Sequence, residues 1–257
     1  MIKNHNLTSF QTIARKETVR FLRIWPQTLL PSAITITLYY VIFGNLIGPR
    51  IGEMEGYSYI QFIVPGLTMM SVITNSYSNV VASFFSAKFQ RYIDELLVSP
   101  TSNSVILLGY ITGGIIRGSI IGVIVLFISV FFTDLTINNL LITASVIFLT
   151  AVLFSLAGLT NGIFARKFDD VSIVPTFVLT PLTYLGGIFY SISMLPDFWR
   201  TLSQGNPILY MVNAFRYGML GHSDIDIYTA YTLIIGFIVA LYLVNLYLLR
   251  KGIGIRT

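Results

Sequence analysis

SAKFQRYIDELLVSPTS, residues 86–102, lies between two apolar runs that are each long enough to cross a bilayer, and its reading decides the fold. Phe89, Tyr92, Ile93, Leu96 and Leu97 recur at the spacing of one apolar helix face. Lys88, Arg91, Asp94 and Glu95 fall on the other side, with Arg91 and Glu95 spaced for an i,i+4 ion pair. Pro100 stops this helix, and Thr101 and Ser102 can cap the next one. A short charged helix held against a membrane suits the transfer of force from a soluble partner. The same pattern also suits a loop helix that shields the ends of two spans.

The flanking sequence sets the class. Of the 257 residues 54% are hydrophobic and 11% charged, a balance that points to an all-α polytopic membrane protein. Cysteine is absent, which excludes disulfides and thiolate metal sites. With only His5 and His222 present, a histidine-based metal site or catalytic triad is not expected. The net charge of +5 is better explained by membrane topology than by nucleic acid, which is not expected as a partner.

Residues 7–24 set Phe10, Ile13, Ala14, Phe21 and Ile24 against Arg15, Lys16, Arg20 and Arg23, the pattern of a helix lying in the cytoplasmic interface. Six apolar runs follow, at about 26–47, 60–85, 104–132, 139–165, 173–194 and 227–249. The organisation expected is therefore an N-terminal interfacial helix (1–25), a six-span domain (26–249) and a short tail (250–257). Twelve Lys and Arg fall on the side of both termini and of residues 88–98, against Arg50, Arg200 and Arg216 on the other. That asymmetry predicts cytoplasmic termini. On the opposite side, residues 191–223 read as two short helices broken at Gly205-Asn206-Pro207 and half-sunk in the outer leaflet, or as a plain interfacial loop.

Within the spans, polar residues align. Span two carries Thr68, Ser71, Asn75, Ser78, Asn79 and Ser86, and span five Thr176, Thr180, Thr183, Tyr184 and Tyr190. Such faces turn toward a translocation path or toward another helix. Span three carries Gly109, Gly113, Gly114, Gly118 and Gly122, whose spacing favours close helix packing, with Arg117 among them as an intramembrane charge. All eleven acidic residues lie outside the predicted spans, so no carboxylate is expected to partner Arg117 or carry a coupling proton. No G-xxxx-G-K-[ST] phosphate loop occurs, so ATP hydrolysis by this chain is not expected.

These features together resemble the permease subunit of ABC-2 type ABC exporters. The resemblance rests on the segment Lys88 to Pro100, on Leu195-Pro196-Asp-Phe-Trp199, on Asn206-Pro207 and on Arg216-Tyr217, and it covers essentially the whole chain. One departure is Arg91-Tyr92-Ile93, where many relatives have Arg-Gly-Thr, which leaves the start of the local helix open.

The resemblance implies a non-enzymatic subunit of the bacterial cytoplasmic (inner) membrane, without a cofactor of its own. It would pair with a second permease copy as a homodimer, and with two copies of an ABC ATPase that binds ATP and Mg. Residues 88–99 would be the coupling helix, with Lys88, Arg91, Asp94, Glu95, Leu96, Leu97 and Pro100 meeting the ATPase. Thr68, Ser71, Asn75, Asn79, Thr180, Thr183 and Tyr184 would line the path, and Pro196, Asn206, Pro207 and Arg216 an external gate. Family substrates include drugs, lipids and lipid-linked glycans, moved by alternating access. An ATP-independent channel or secondary transporter, or a membrane scaffold, is the other class that the residues allow.

Overall fold

The computed structural model describes residues 2–135 and 137–255, with side chains from residue 5 onward. Of the basic residues counted above, Arg256 and the side chain of Lys3 lie outside the described residues, as does the end of the tail. The fold is helical apart from one two-residue hairpin. Helix α1 spans Ile2–Arg23, and α2 follows at once as Trp25–Ile51, with a π-helical stretch at Tyr40–Ile47. The hairpin pairs β1 (Glu53–Met54) with β2 (Tyr57–Ser58) and leads into α3, Tyr59–Phe89. Then come α4 (Tyr92–Val98), α5 (Asn103–Ser129) and α6 (Leu140–Phe164).

Four helices among the described residues are long and apolar enough to cross a membrane: α2, α5, α6 and α11 (Ile227–Lys251). Helix α3 is longer than any of them at 31 residues, but its run of Ser, Thr and Asn dilutes its hydropathy. It is also the central element. Most of its length is buried, with α5 and α6 packed along it.

Span five departs from expectation. In place of an unbroken helix over 173–194, α7 (Phe168–Val174) passes through a π-helical turn, Pro175–Leu179, into α8 (Thr180–Tyr184), where helix ends. Pro175 and Pro181 each lack the N–H that a helix interior needs, and Gly187, at φ +70, takes the chain out of the helical path. Tyr190 is thus off the helix that its spacing had assigned it to. Residues 191–223 hold α9 (Asp197–Gln204) and α10 (Pro207–Leu220), separated at Gly205-Asn206.

The glycines of α5 explain how three neighbours approach one helix. A Cβ on Gly109 would lie 2.6 Å from Ile13 Cγ2, and one on Gly113 2.7 Å from Glu17 Cβ, so this edge seats α1. One residue further round, Gly114 meets Ser155 of α6 and Val80 and Ser76 of α3, and Gly118 meets Ser76. Close backbone packing is what these glycines do.

Candidate functional site: a buried polar ladder and an open cleft

Polar side chains at steps of four along α3 form a ladder whose rungs come from the N-terminal quarter of the chain and from α5. Asn75 Nδ2 donates to Ser32 Oγ (3.0 Å), and Asn75 Oδ1 accepts from Arg117 Nη2 of α5 (2.9 Å). The same Arg117 nitrogen donates to Thr28 O at 2.9 Å. One turn on, Arg20 Nη2 of α1 donates to both the backbone oxygen and Oδ1 of Asn79, each at 3.0 Å. A further turn on, Ser83 Oγ donates to Glu17 Oε2 at 2.5 Å, and Arg20 Nε lies 3.3 Å from that oxygen. Arg117, half-buried, therefore sets one terminal nitrogen on an amide oxygen and a carbonyl, while its Nε has no hydrogen-bond partner.

Glu17 is a carboxylate buried against the spans, a placement that its position in the sequence does not announce. It lies outside them in sequence, yet it has no exposed surface, enclosed between α3 and the Gly113 notch of α5. The spacing contained a signal for this. Ile13, Glu17 and Phe21 recur every four residues, and Ile13 and Phe21 are both buried.

The predicted path residues separate into two environments. Thr68, Ser71, Asn75 and Asn79 are all buried, the first two bonding back to the carbonyls of Val64 and Leu67. On α8, Thr183 is buried and bonds Leu179 O and Thr180 O, while Thr180 and Tyr184 are exposed. The exposed strip of α3 is offset from the asparagines: Thr74 and Ala82 are exposed, with Met70, Ser78 and Ser86 half-buried between them.

The segment around residue 91 is rearranged relative to its sequence reading. Helix α3 runs on to Phe89, and Arg91, at φ +63, is the left-handed hinge before α4. Lys88 belongs to the last turn of α3, where Nζ donates to Ile163 O (2.6 Å) and Ala165 O (2.7 Å) at the open C-terminal end of α6. Burial, helped by nearby Arg166, pulls the Lys88 ammonium below its usual pKa. Arg91 is off the helix and makes no ion pair with Glu95. Phe89 and Tyr92 are 61% and 54% exposed, so the apolar face of α4 is Ile93, buried, with Leu96 and Leu97 partly so.

Phe85, Lys88, Phe89, Arg91, Asp94, Leu97, Val98, Phe164 and Arg166 surround an open cleft of about 1110 Å³ beside α4. Past Pro100, Thr101 Oγ1 donates to Ser9 Oγ (3.0 Å) and Ser102 N to Asn6 Oδ1 (3.3 Å), tying this loop to α1. Next to the Ala165 carbonyl, Arg166 N and Lys167 N donate to Asp170 Oδ2 (2.8 and 3.0 Å), which holds that carboxyl below its usual pKa.

At the other end, Asn206 caps α10 by accepting from Ile208 N, Pro207 fills its first position, and Asn206 Nδ2 reaches Leu182 O at 2.6 Å. Arg216 is 1% exposed, donates to Gly187 O at 2.7 Å and stacks 3.9 Å over the Phe62 ring. Both residues thus lash α10 to the end of span five, while Pro196 forms the N-cap of α9. Among the described residues, Glu55, His222 and Asp224 form one group of metal-ligating types, their ligand atoms within 4.8 Å of one another. Each has a protein contact already: His222 Nε2 lies 3.1 Å from Glu55 Oε2, and Asp224 accepts from Ser191 Oγ.

The family model for ABC-2 type transporters matches residues 8–220. The chain is 57% identical over 249 residues to the inner membrane transport permease YadH of Escherichia coli K12, covering 97% of both chains. It is 22% identical over 246 residues to nodulation protein J of Neorhizobium galegae, covering 95% of this chain and 94% of that protein. The match to nodulation protein J of Rhizobium leguminosarum bv. trifolii is 24% over 191 residues, or 74% of this chain and 73% of that one.

Proposed function

The chain belongs to the ABC-2 type transporter family, and from that premise we propose that it is the membrane subunit of an ATP-driven exporter. Two copies pair with two copies of a separate ABC ATPase, which supplies ATP and Mg chemistry that this chain lacks. Six segments span the inner membrane: α2, α3, α5, α6, the α7–α8 stretch and α11, with both termini cytoplasmic. The distribution of Lys and Arg supports this orientation.

The observation that carries the proposal is α4 and its cleft. Asp94 and Glu95 open a short helix seated only by Ile93, Leu96 and Leu97, leaving its charged side and Arg91 toward solvent. A helix so placed, bonded onward to α1 through Thr101 and Ser102, can pass a push from the ATPase into the membrane domain. The path runs between subunits along the exposed strip of α3 and the Thr180–Tyr184 face. Asn75 and Asn79 hold that wall from behind, and α9 and α10 close it on the outside. The substrate is an amphipathic molecule of the lipid, glycan or drug type.

The test is an affinity pull-down of the tagged chain in mild detergent, with mass spectrometry and an ATPase assay. A stoichiometric ATPase is expected. Changing Asp94 and Glu95 together to Lys is expected to abolish ATP-driven transport while expression and dimerisation persist. An oligomer of this chain alone, moving solute in liposomes without ATP, would establish the channel reading instead.

A further inference from the structure

Glu17 is the one acidic side chain among the described residues that is fully enclosed, and its neighbours lie on three helices. Its carboxylate accepts from Ser83 Oγ of α3 and from Arg20 Nε, and Arg20 in turn holds the backbone and side-chain oxygens of Asn79. Its second oxygen accepts no hydrogen bond, and Lys16 Nζ stands 3.8 Å away. Its Cβ occupies the space that the missing side chain of Gly113 leaves on α5.

Enclosing a carboxylate in this way is costly unless its bonds are worth more than an apolar contact would be. A helix that only floated in the interface would need no such group. A charged joint has a property that greasy packing lacks: it fixes register, because sliding α1 by one residue breaks the bonds at both Asn79 and Ser83. The contact also has an input, since α1 is tied at Asn6 and Ser9 to the loop that follows α4.

We propose that Glu17 is a positioning residue for transport: its carboxylate holds Arg20 against Asn79 and makes α1 and α3 a single moving part. The proposal rests on the reading of the chain as an ATP-driven permease. Motion delivered to α4 enters α1 at Ser9, travels along the helix, and leaves at the two bonded positions on α3, whose other side is the exposed Thr74–Ser78 strip. The resulting movement of α3 opens and closes the path.

The chain has no cysteine, so Thr180→Cys gives a single-thiol reporter on the exposed face. In the complex with its ATPase in nanodiscs, ATP is expected to change the rate at which a membrane-impermeant maleimide labels that thiol. Glu17→Gln keeps the shape and removes the charge. It is expected to leave the complex assembled and hydrolysing ATP, while shrinking the ATP-dependent change in labelling about tenfold. Adding Asn79→Asp gives Arg20 a carboxylate on α3 and is expected to restore that change. An E17Q variant that responds like wild type overturns the proposal. So does one that loses folded protein and is not rescued by N79D, because Glu17 is then only a packing residue.

If the wild-type chain brings down no ATPase, the exporter reading fails, and the joint is read separately from hydrogen exchange in the purified permease. E17Q should then expose the amides of residues 13–23 about tenfold more, with N79D reversing it. Unchanged exchange overturns the joint on its own.

Discussion

The polar series of α3 and of the α7–α8 stretch are written alike, with a hydroxyl or amide every three or four residues, yet they meet opposite fates. Asn75 and Asn79 are buried and bonded to arginines, whereas Thr176, Thr180 and Tyr184 remain exposed. The spacing identifies a face. What covers the face depends on who else carries a complementary group, and the N-terminal quarter supplies Arg20 and Ser32 to the asparagines of α3, but only the Tyr39 hydroxyl to Tyr184 on α8. A polar stripe in a membrane chain is thus evidence of a partner before it is evidence of a path.

Exchanging the two series should separate them most sharply. Replacing both Asn75 and Asn79 by Leu takes one charge-assisted side-chain bond from each of Arg117 and Arg20 and is expected to cost roughly 3–5 kcal/mol in all, measured as unfolding in mixed micelles. Replacing Thr176 and Thr180 by Val is expected to change stability by less than about 0.5 kcal/mol. Equal losses in the two pairs would mean that the exposed stripe is as structural as the buried one. Arg117 sharpens the same contrast alone: Arg117→Ala removes bonds to Asn75 and Thr28 and should cost about 1.5–3 kcal/mol. Arg117→Lys should recover only part of this, because the shorter reach and stronger hydration of an ammonium fit a partly buried pair of oxygens less well than the Nη2 of a guanidinium.

Much of this architecture was legible in the sequence. The break before Asn206-Pro207 was readable because both residues have a fixed place at a helix start. The glycine face of α5 was readable as a contact surface because small residues at that spacing have few other uses. Glu17 was missed because eleven acidic residues were sorted by linear position relative to the spans, and α1 lies outside them in sequence while packing against them in space. The start of α4 was missed for a related reason. Nothing local stops α3 at Lys88, and the Arg91 hinge depends on Lys88 being drawn to carbonyls 75 and 77 residues away.

The cleft beside α4 extends the comparison to smaller effects. Lys88 in its lining makes bonds between distant elements, whereas Asp170 bonds within one turn to the N–H of Arg166, which also lines it. Lys88→Met should release the end of α6 from α3 and cost about 1–2 kcal/mol. It should also raise hydrogen exchange in residues 163–168 before global unfolding begins. Normal exchange there would show that the C-terminal end of α6 is held by packing alone.

The smallest effect belongs to Asp170, which is half-buried and acts on its own helix start. The backbone N–H groups of Arg166 and Lys167 depress its pKa from the ordinary 3.8 in the folded chain. A carboxylate with a depressed folded pKa contributes its stabilisation fully above the unfolded value, and loses it as pH falls through the lower folded value. Fraying of residues 166–170 should therefore grow only on acidification below about pH 4. Asp170→Asn should fray slightly at every pH, with no acid step, because an amide oxygen accepts the same N–H groups more weakly and does not titrate there. Exchange of these amides against pH separates the two cases. An acid step that persists in the Asn variant would place the titrating group elsewhere, and Asp94, which lines the cleft, would be the one to change next.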